Sequence, residues 1–203
     1  MTFLVGENGS GKSTIIEALA SSTGFNEEGG SKNYLFSTQH TTSEMNQHIR
    51  IIRGGRLEKD GFFLRAESFY NLTSYMDAPH PLGPLRYGGK SFHEQSHGES
   101  FLALVPHRFH ANGLYILDEP EAALSPRRQL ALMAHIHDLV QRGSQFIIAT
   151  HSPILLAAKD AVIYELSHTG IDKIAYRDTD HYRLTLDFLQ NYDAYNRHLN
   201  EPI

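Results

Sequence analysis

Gly6-Glu7-Asn8-Gly9-Ser10-Gly11-Lys12-Ser13 gathers three glycines, a lysine and two hydroxyl groups into eight residues. The run fits G-x-x-x-x-G-K-[ST]. It lies between an apolar stretch, Thr2-Phe3-Leu4-Val5, and a segment Thr14–Ser22 with Ile15, Ile16 and Leu19 at helical spacing. Strand, glycine turn and helix start in that order are the setting in which such a run cradles phosphate. Glycine lets the backbone turn tightly and bring its N–H groups close to phosphate oxygens. The helix that follows aims the positive end of its dipole at the same oxygens. The reading therefore assigns Gly6, Glu7, Asn8, Gly9, Ser10, Gly11, Lys12, Ser13 and Thr14 to a nucleotide's phosphates. Lys12 supplies a point charge at the β- and γ-phosphates, and the Ser13 hydroxyl is a ligand for Mg²⁺.

The remaining pattern alternates strands with helices, which implies a mostly parallel sheet covered by helices on its faces, an α/β fold. Strands are expected at 49–53, 61–67, 114–117, 145–150, 161–166 and 171–176. Helices are expected at 68–76, at 99–109, from Ser125-Pro126 to Arg142, from Ser152-Pro153, and in an amphipathic tail from Thr179 carrying Leu184, Leu186, Phe188 and Leu189. A serine followed by proline is a strong helix start, and Gly143 suits the residue just past a helix end. Segment 23–37 reads as a loop, and 77–95, with three prolines and three glycines, as an irregular connection.

Composition narrows the function classes. The 203 residues carry 18 basic and 23 acidic side chains, a net charge of −5, which argues against nucleic-acid binding by bulk charge. There is no cysteine, so disulfides, thiolate catalysis and cysteine-type zinc sites are excluded. No apolar run is long enough to span a membrane, and no signal segment opens the chain. A reducing, cytoplasmic setting is expected. Of thirteen histidines, one is assigned a role.

Two apolar strands end in polar tips. Leu114-Tyr115-Ile116-Leu117 runs into Asp118-Glu119-Pro120, and Phe146-Ile147-Ile148-Ala149-Thr150 runs into His151. In open α/β sheets the carboxyl ends of strands are where ligands bind. Asp118 can hold Mg²⁺ directly or through water. Glu119, pointing the other way along the pleat, can act as general base on the attacking water. A neutral His151 can hydrogen-bond the γ-phosphate or that water.

The ordered set of phosphate loop, Ser-His-Gly-Glu-Ser segment, Asp-Glu pair and strand-terminal histidine resembles the ABC-type P-loop ATPases. It is most similar to a small soluble predicted AAA-family ATPase group and its relatives among the SMC, recombination and repair ATPases. The resemblance covers nearly the whole chain and implies a single ABC ATPase-like domain over 1–203, with a variable insertion at about 23–95. Gln95-Ser96-His97-Gly98-Glu99 looks like the family's Leu-Ser-Gly-Gly-Gln signature, with His97 for a glycine and Glu99 for the glutamine. By resemblance, Ser96 and the Gly98 backbone contact the γ-phosphate held by the opposite subunit. Asp118 is then the magnesium acid, Glu119 the catalytic acid, 121–126 the loop along the dimer contact, and His151 the switch histidine. Glu67 stands near the place of the family's Q-loop glutamine. The strands that carry the adenine-stacking aromatic in many relatives would precede Thr2, so either the chain is truncated or adenine is held otherwise.

The resemblance implies an ATPase using ATP and Mg²⁺, with Lys12, Glu119 and His151 as catalytic residues, acting as a homodimer formed on ATP binding. A protein partner is possible and direct membrane insertion is not expected. Three alternatives stand beside it. One is a DNA repair or defence ATPase of SMC-like type, although the interval Thr14–Gln95 has neither heptads nor a cysteine hook. The others are the ATPase subunit of a membrane transporter and a non-catalytic nucleotide-binding scaffold.

Overall fold

The computed structural model describes residues 1–26, 29–31, 45, 48–55, 57–66, 97–122 and 124–199. Six strands form one sheet: β1 (Thr2–Val5), β2 (Asp60–Arg65), β3 (Gly113–Asp118), β4 (Gln145–Ala149), β5 (Val162–Ser167) and β6 (Gly170–Ile174). Their order is β2-β3-β4-β1-β5-β6. The first five run parallel, and β6 turns back antiparallel on β5 through Gly170, whose φ of 139° suits glycine. The helices are α1 (Lys12–Ser22), α2 (His97–Arg108), α3 (Pro126–Gln141), the single turn α4 (Pro153–Leu156) and α5 (Asp180–Leu199). The mixed α/β fold with a mostly parallel sheet is the one expected from the sequence.

Alternation along the strands sorts the core into two layers. Phe3, Val5, Phe62, Leu64, Tyr115, Leu117, Phe146 and Ile148 face one side. They meet Leu104 and Val105 of α2 and Leu132, Ile136 and Leu139 of α3. Leu4, Phe63, Leu114, Ile116 and Ala149 face the other, against Ile16 and Ala20 of α1. Every residue of β3 is buried, as a parallel strand covered on both faces requires. Tyr115 stacks on Phe109 with centroids 4.4 Å apart, and its hydroxyl donates to His110 O over 2.9 Å. Burial pushes that hydroxyl's pKa up to about 12.

Several boundaries differ from the sequence reading. Residues 49–53 form no strand, and Ile52 is 87% exposed. The outer edge of β2 is met instead by Gly30, which exchanges hydrogen bonds with Phe63 (2.7 and 3.0 Å). The Ser152-Pro153 start yields only the turn α4, although Ser152 Oγ does accept from the Ile154 and Leu155 amides. Ser125 has N-cap dihedrals before Pro126 but no side-chain cap bond. The tail is helical, with a break at Asn191, and Leu184, Leu186, Phe188 and Leu189 are exposed on it. The helix expected at 68–76, the connection 77–95, most of loop 23–37, Glu67 and Ser96 lie outside the described residues.

Strand order places the site. β4 lies directly beside β1, and β3 beside β4. The loop after β1, the acidic pair after β3 and the histidine after β4 therefore share one sheet edge within about 10 Å. Ile116, fully buried at the middle of β3 in the α1 layer, tests how far this arrangement depends on packing. Ile116→Ala is expected to lower unfolding stability by about 3 kcal/mol in urea titration. A loss below about 1 kcal/mol would show that the layer relaxes to fill the space.

Candidate nucleotide site

The loop Gly6–Ser13 is held by positive φ at three glycines: 146° at Gly6, 82° at Gly9 and 91° at Gly11. A Cβ at Gly6 would lie 2.4 Å from Leu166 O and 2.8 Å from Ser10 Oγ, so only glycine fits there. Gly11 is the N-cap of α1 and brings no capping side chain. Helix geometry leaves the first-turn amides, Lys12 to Thr14, without intrahelical acceptors. Ser10 Oγ is buried with no partner among the described residues. A concave loop with unclaimed donors suits an anion.

Lys12 is nearly buried and folds back on its own loop, donating to Gly6 O at 2.8 Å and Glu7 O at 2.9 Å. Burial lowers its pKa, opposed by the charges of Glu119, Asp118 and Glu121. Beneath it, Ser13 Oγ donates to Asp118 Oδ1 at 3.4 Å. Desolvation raises the Asp118 pKa to about 6, against the lowering effects of Ser13 and Arg65. Arg65, paired in register with Asp118, holds Nε 3.7 Å from Asp118 Oδ2 and also bridges to Glu17.

Glu119 follows the strand with φ 50°, in the left-handed region. The pleat therefore does not set its direction, contrary to the sequence reading; the turn does. Its amide still donates to Ala149 O (3.0 Å), and its half-exposed carboxylate lies 3.6 Å from His151 Nε2. His151 is held on two further sides. Its amide donates to Glu121 Oε1 at 2.6 Å, and its Nδ1 lies 2.9 Å from His181 Nε2. Burial and then the charge of Lys12 lower the His151 pKa, with Glu119 opposing.

These groups border an open cavity of about 610 Å³ lined by Asn8, Gly9, Gly11, Lys12, Ser13, Thr14, Glu119 and His151. Gly6, Glu7 and Ser10 support the loop from outside the lining, and Asp118 sits under Ser13. Gly98 lies in the first turn of α2. Among the described residues no three His, Cys, Asp or Glu side chains cluster to hold a metal. The donor set fits Mg²⁺ nonetheless. Ser13 Oγ and the desolvated Asp118 carboxylate offer two hard oxygens, and this ion ordinarily completes its shell with phosphate and water.

Sequence reasoning missed Arg65 and His181. A charged residue closing the buried run Gly61-Phe62-Phe63-Leu64 was a usable signal for Arg65. Nothing in spacing ties His181 to His151, thirty positions away.

Comparison with known proteins fits this geometry. Residues 1–72 match the family model described as "AAA domain". Residues 86–157 match the model described as "AAA domain, putative AbiEii toxin, Type IV TA system". No curated protein matches the sequence. Among solved structures, an inward-facing ABC transporter of metal-chelate type is 17% identical, with TM-score 0.50, over 92% of this chain and 76% of that one. The SMC head domain from Thermotoga maritima is also 17% identical, with TM-score 0.47, over 86% of this chain and 90% of that one.

Asp118 gives the site a measurable pH dependence. Its folded pKa, about 6, exceeds the ordinary 3.8, so between those values the folded state holds a proton that the unfolded chain releases. Stability of the nucleotide-free protein should fall as pH rises through that window. Asp118→Asn should flatten the fall and gain about 2 kcal/mol at pH 7.5. Thermal melts from pH 4 to 8 check this, and an unchanged slope would count against it.

The two AAA-domain matches agree with the glycine loop that follows β1, and the fold is like that of the ABC transporter.

Proposed function

We propose that the chain binds ATP with Mg²⁺ and hydrolyses its terminal phosphate, acting as a head-to-tail pair of copies. One observation carries the reading: Ser13 Oγ at the start of α1 lies 3.4 Å from the buried Asp118 carboxylate, at the foot of a cavity bordered by Lys12, Glu119 and His151.

The loop amides and the α1 N-terminus bind the phosphates, and Lys12 exchanges the Gly6 and Glu7 carbonyls for β- and γ-phosphate oxygens. Ser13 and Asp118 would hold Mg²⁺, which when bound neutralises charge on those oxygens. Glu119 takes a proton from the attacking water as its oxygen bonds to the γ-phosphorus and the bond to the bridging β–γ oxygen breaks. ADP and inorganic phosphate result. His151 Nε2 hydrogen-bonds the terminal phosphate. Ser96 and Gly98 of the partner subunit would close over it, so that nucleotide binding and pairing form one linked equilibrium.

A second reading, a defence-associated ATPase, takes its support from the model that matches 86–157, whose description names a toxin of a type IV toxin–antitoxin system. Turnover stimulated by double-stranded DNA would support it.

Lys12→Ala is expected to weaken ATP binding beyond detection by calorimetry; unchanged affinity would remove Lys12 from the site. Glu119→Gln is expected to keep ATP affinity and lose about 100-fold or more in kcat. It should also elute as a dimer in gel filtration with ATP and Mg²⁺. A Glu119→Gln form that turns over normally would refute the general-base role, and a monomer at saturating ATP would refute the pairing.

A further inference from the structure

His181, on the first turn of α5, meets the ring of His151 with Nε2 2.9 Å from Nδ1. The approach is anchored. Thr179 is fully buried, accepts from the Tyr182 amide at 3.2 Å and donates to Tyr176 O at 2.8 Å, which caps the helix. The Tyr176 hydroxyl in turn donates to Pro153 O at 2.9 Å, two residues beyond His151. The start of α5 is thus tied to the strand tip that carries His151.

A contact between two neutral imidazoles needs one donor and one acceptor. The other face of His151 decides which is which. Its Nε2 is buried, makes no hydrogen bond among the described residues, and looks toward Glu119 Oε1 at 3.6 Å. A lone pair there would face a carboxylate; an N–H there is attracted to it.

We propose that His181 is a positioning residue that donates Nε2–H to His151 Nδ1, holding His151 in the tautomer whose Nε2–H points toward Glu119 and the terminal phosphate of a bound nucleotide. The functional part rests on the ATPase reading above; the tautomer does not. Lys12, Glu119, Glu121 and Asp180 are the charged groups that act on the pair. Burial disfavours the charged form of both rings, and if both were charged they would set two donors face to face. The pair therefore works with both rings neutral.

The test uses the full chain labelled with ¹⁵N-histidine, free of nucleotide, in long-range ¹H–¹⁵N spectra. His151 should be a single neutral tautomer protonated at Nε2. His181→Phe keeps ring bulk but removes the donor, and should leave a tautomer mixture. His181→Gln restores an N–H and should restore the single tautomer. With ATP and Mg²⁺, His181→Phe should lower kcat about tenfold with KM within about twofold. It should also move the acid limb of the pH profile upward, whereas His181→Gln stays near the unsubstituted rate. An Nδ1–H tautomer in the unsubstituted chain, or a His151 signal unmoved by His181→Phe, overturns the proposal. If His181→Phe fails to fold, the unsubstituted chain and His181→Gln still decide it. Absence of turnover in the unsubstituted chain would refute the ATPase reading, while the spectra still determine the tautomer.

Discussion

The contact between Ser13 Oγ and Asp118 Oδ1 joins the first turn of α1 to the tip of a strand 105 residues later. It sets a carboxylate where water is scarce and where its charge is costly unless a cation is near. Much else in the sheet serves that placement. β4 lies between β1 and β3, α1 packs over β3 and β4, and Arg65 arrives in register with Asp118 on the neighbouring strand. A group so desolvated is more useful to a ligand than to the empty fold, which is why its effect on stability and its proposed role in binding have opposite signs.

Around this contact the polar groups fall into two tiers. Lys12, Glu119 and His151 border the cavity, while Arg65, Glu121 and His181 touch those groups, or Asp118, from behind. The rear tier comes from three separate stretches of chain: the end of β2, the turn after β3 and the start of α5. The aim of each front group is therefore set by the tertiary structure, not by its own local backbone alone.

Local order made much of this legible. The glycine pattern, a proline after a serine, and apolar runs ending in Asp118 or His151 each carry their meaning within a few residues, so the loop, the strand tips and the sheet class could be read directly. What depended on distant partners could not. Residues 49–53 have strand-like composition, but Gly30 meets the β2 edge at Phe63. Ser152-Pro153 begins a helix as its chemistry dictates, but where a helix stops depends on what packs around it, and this one ends after a single turn. Leu184, Leu186 and Leu189 lie on a helix as expected, yet they stand exposed. The direction of Glu119 follows from a turn that alternation along β3 cannot describe.

That turn has a consequence for which sequences can occupy the corner. A left-handed backbone at a non-glycine residue costs on the order of 1–2 kcal/mol. It is most easily accepted by glycine, asparagine and aspartate, and resisted by branched side chains. The corner at Glu119 therefore acts as a filter on mutation. Drift that discards the carboxylate yet keeps the bend has only a few residue types open to it. Valine, isoleucine or threonine would distort the bend along with the loss of charge, so here shape and acidity tend to disappear together.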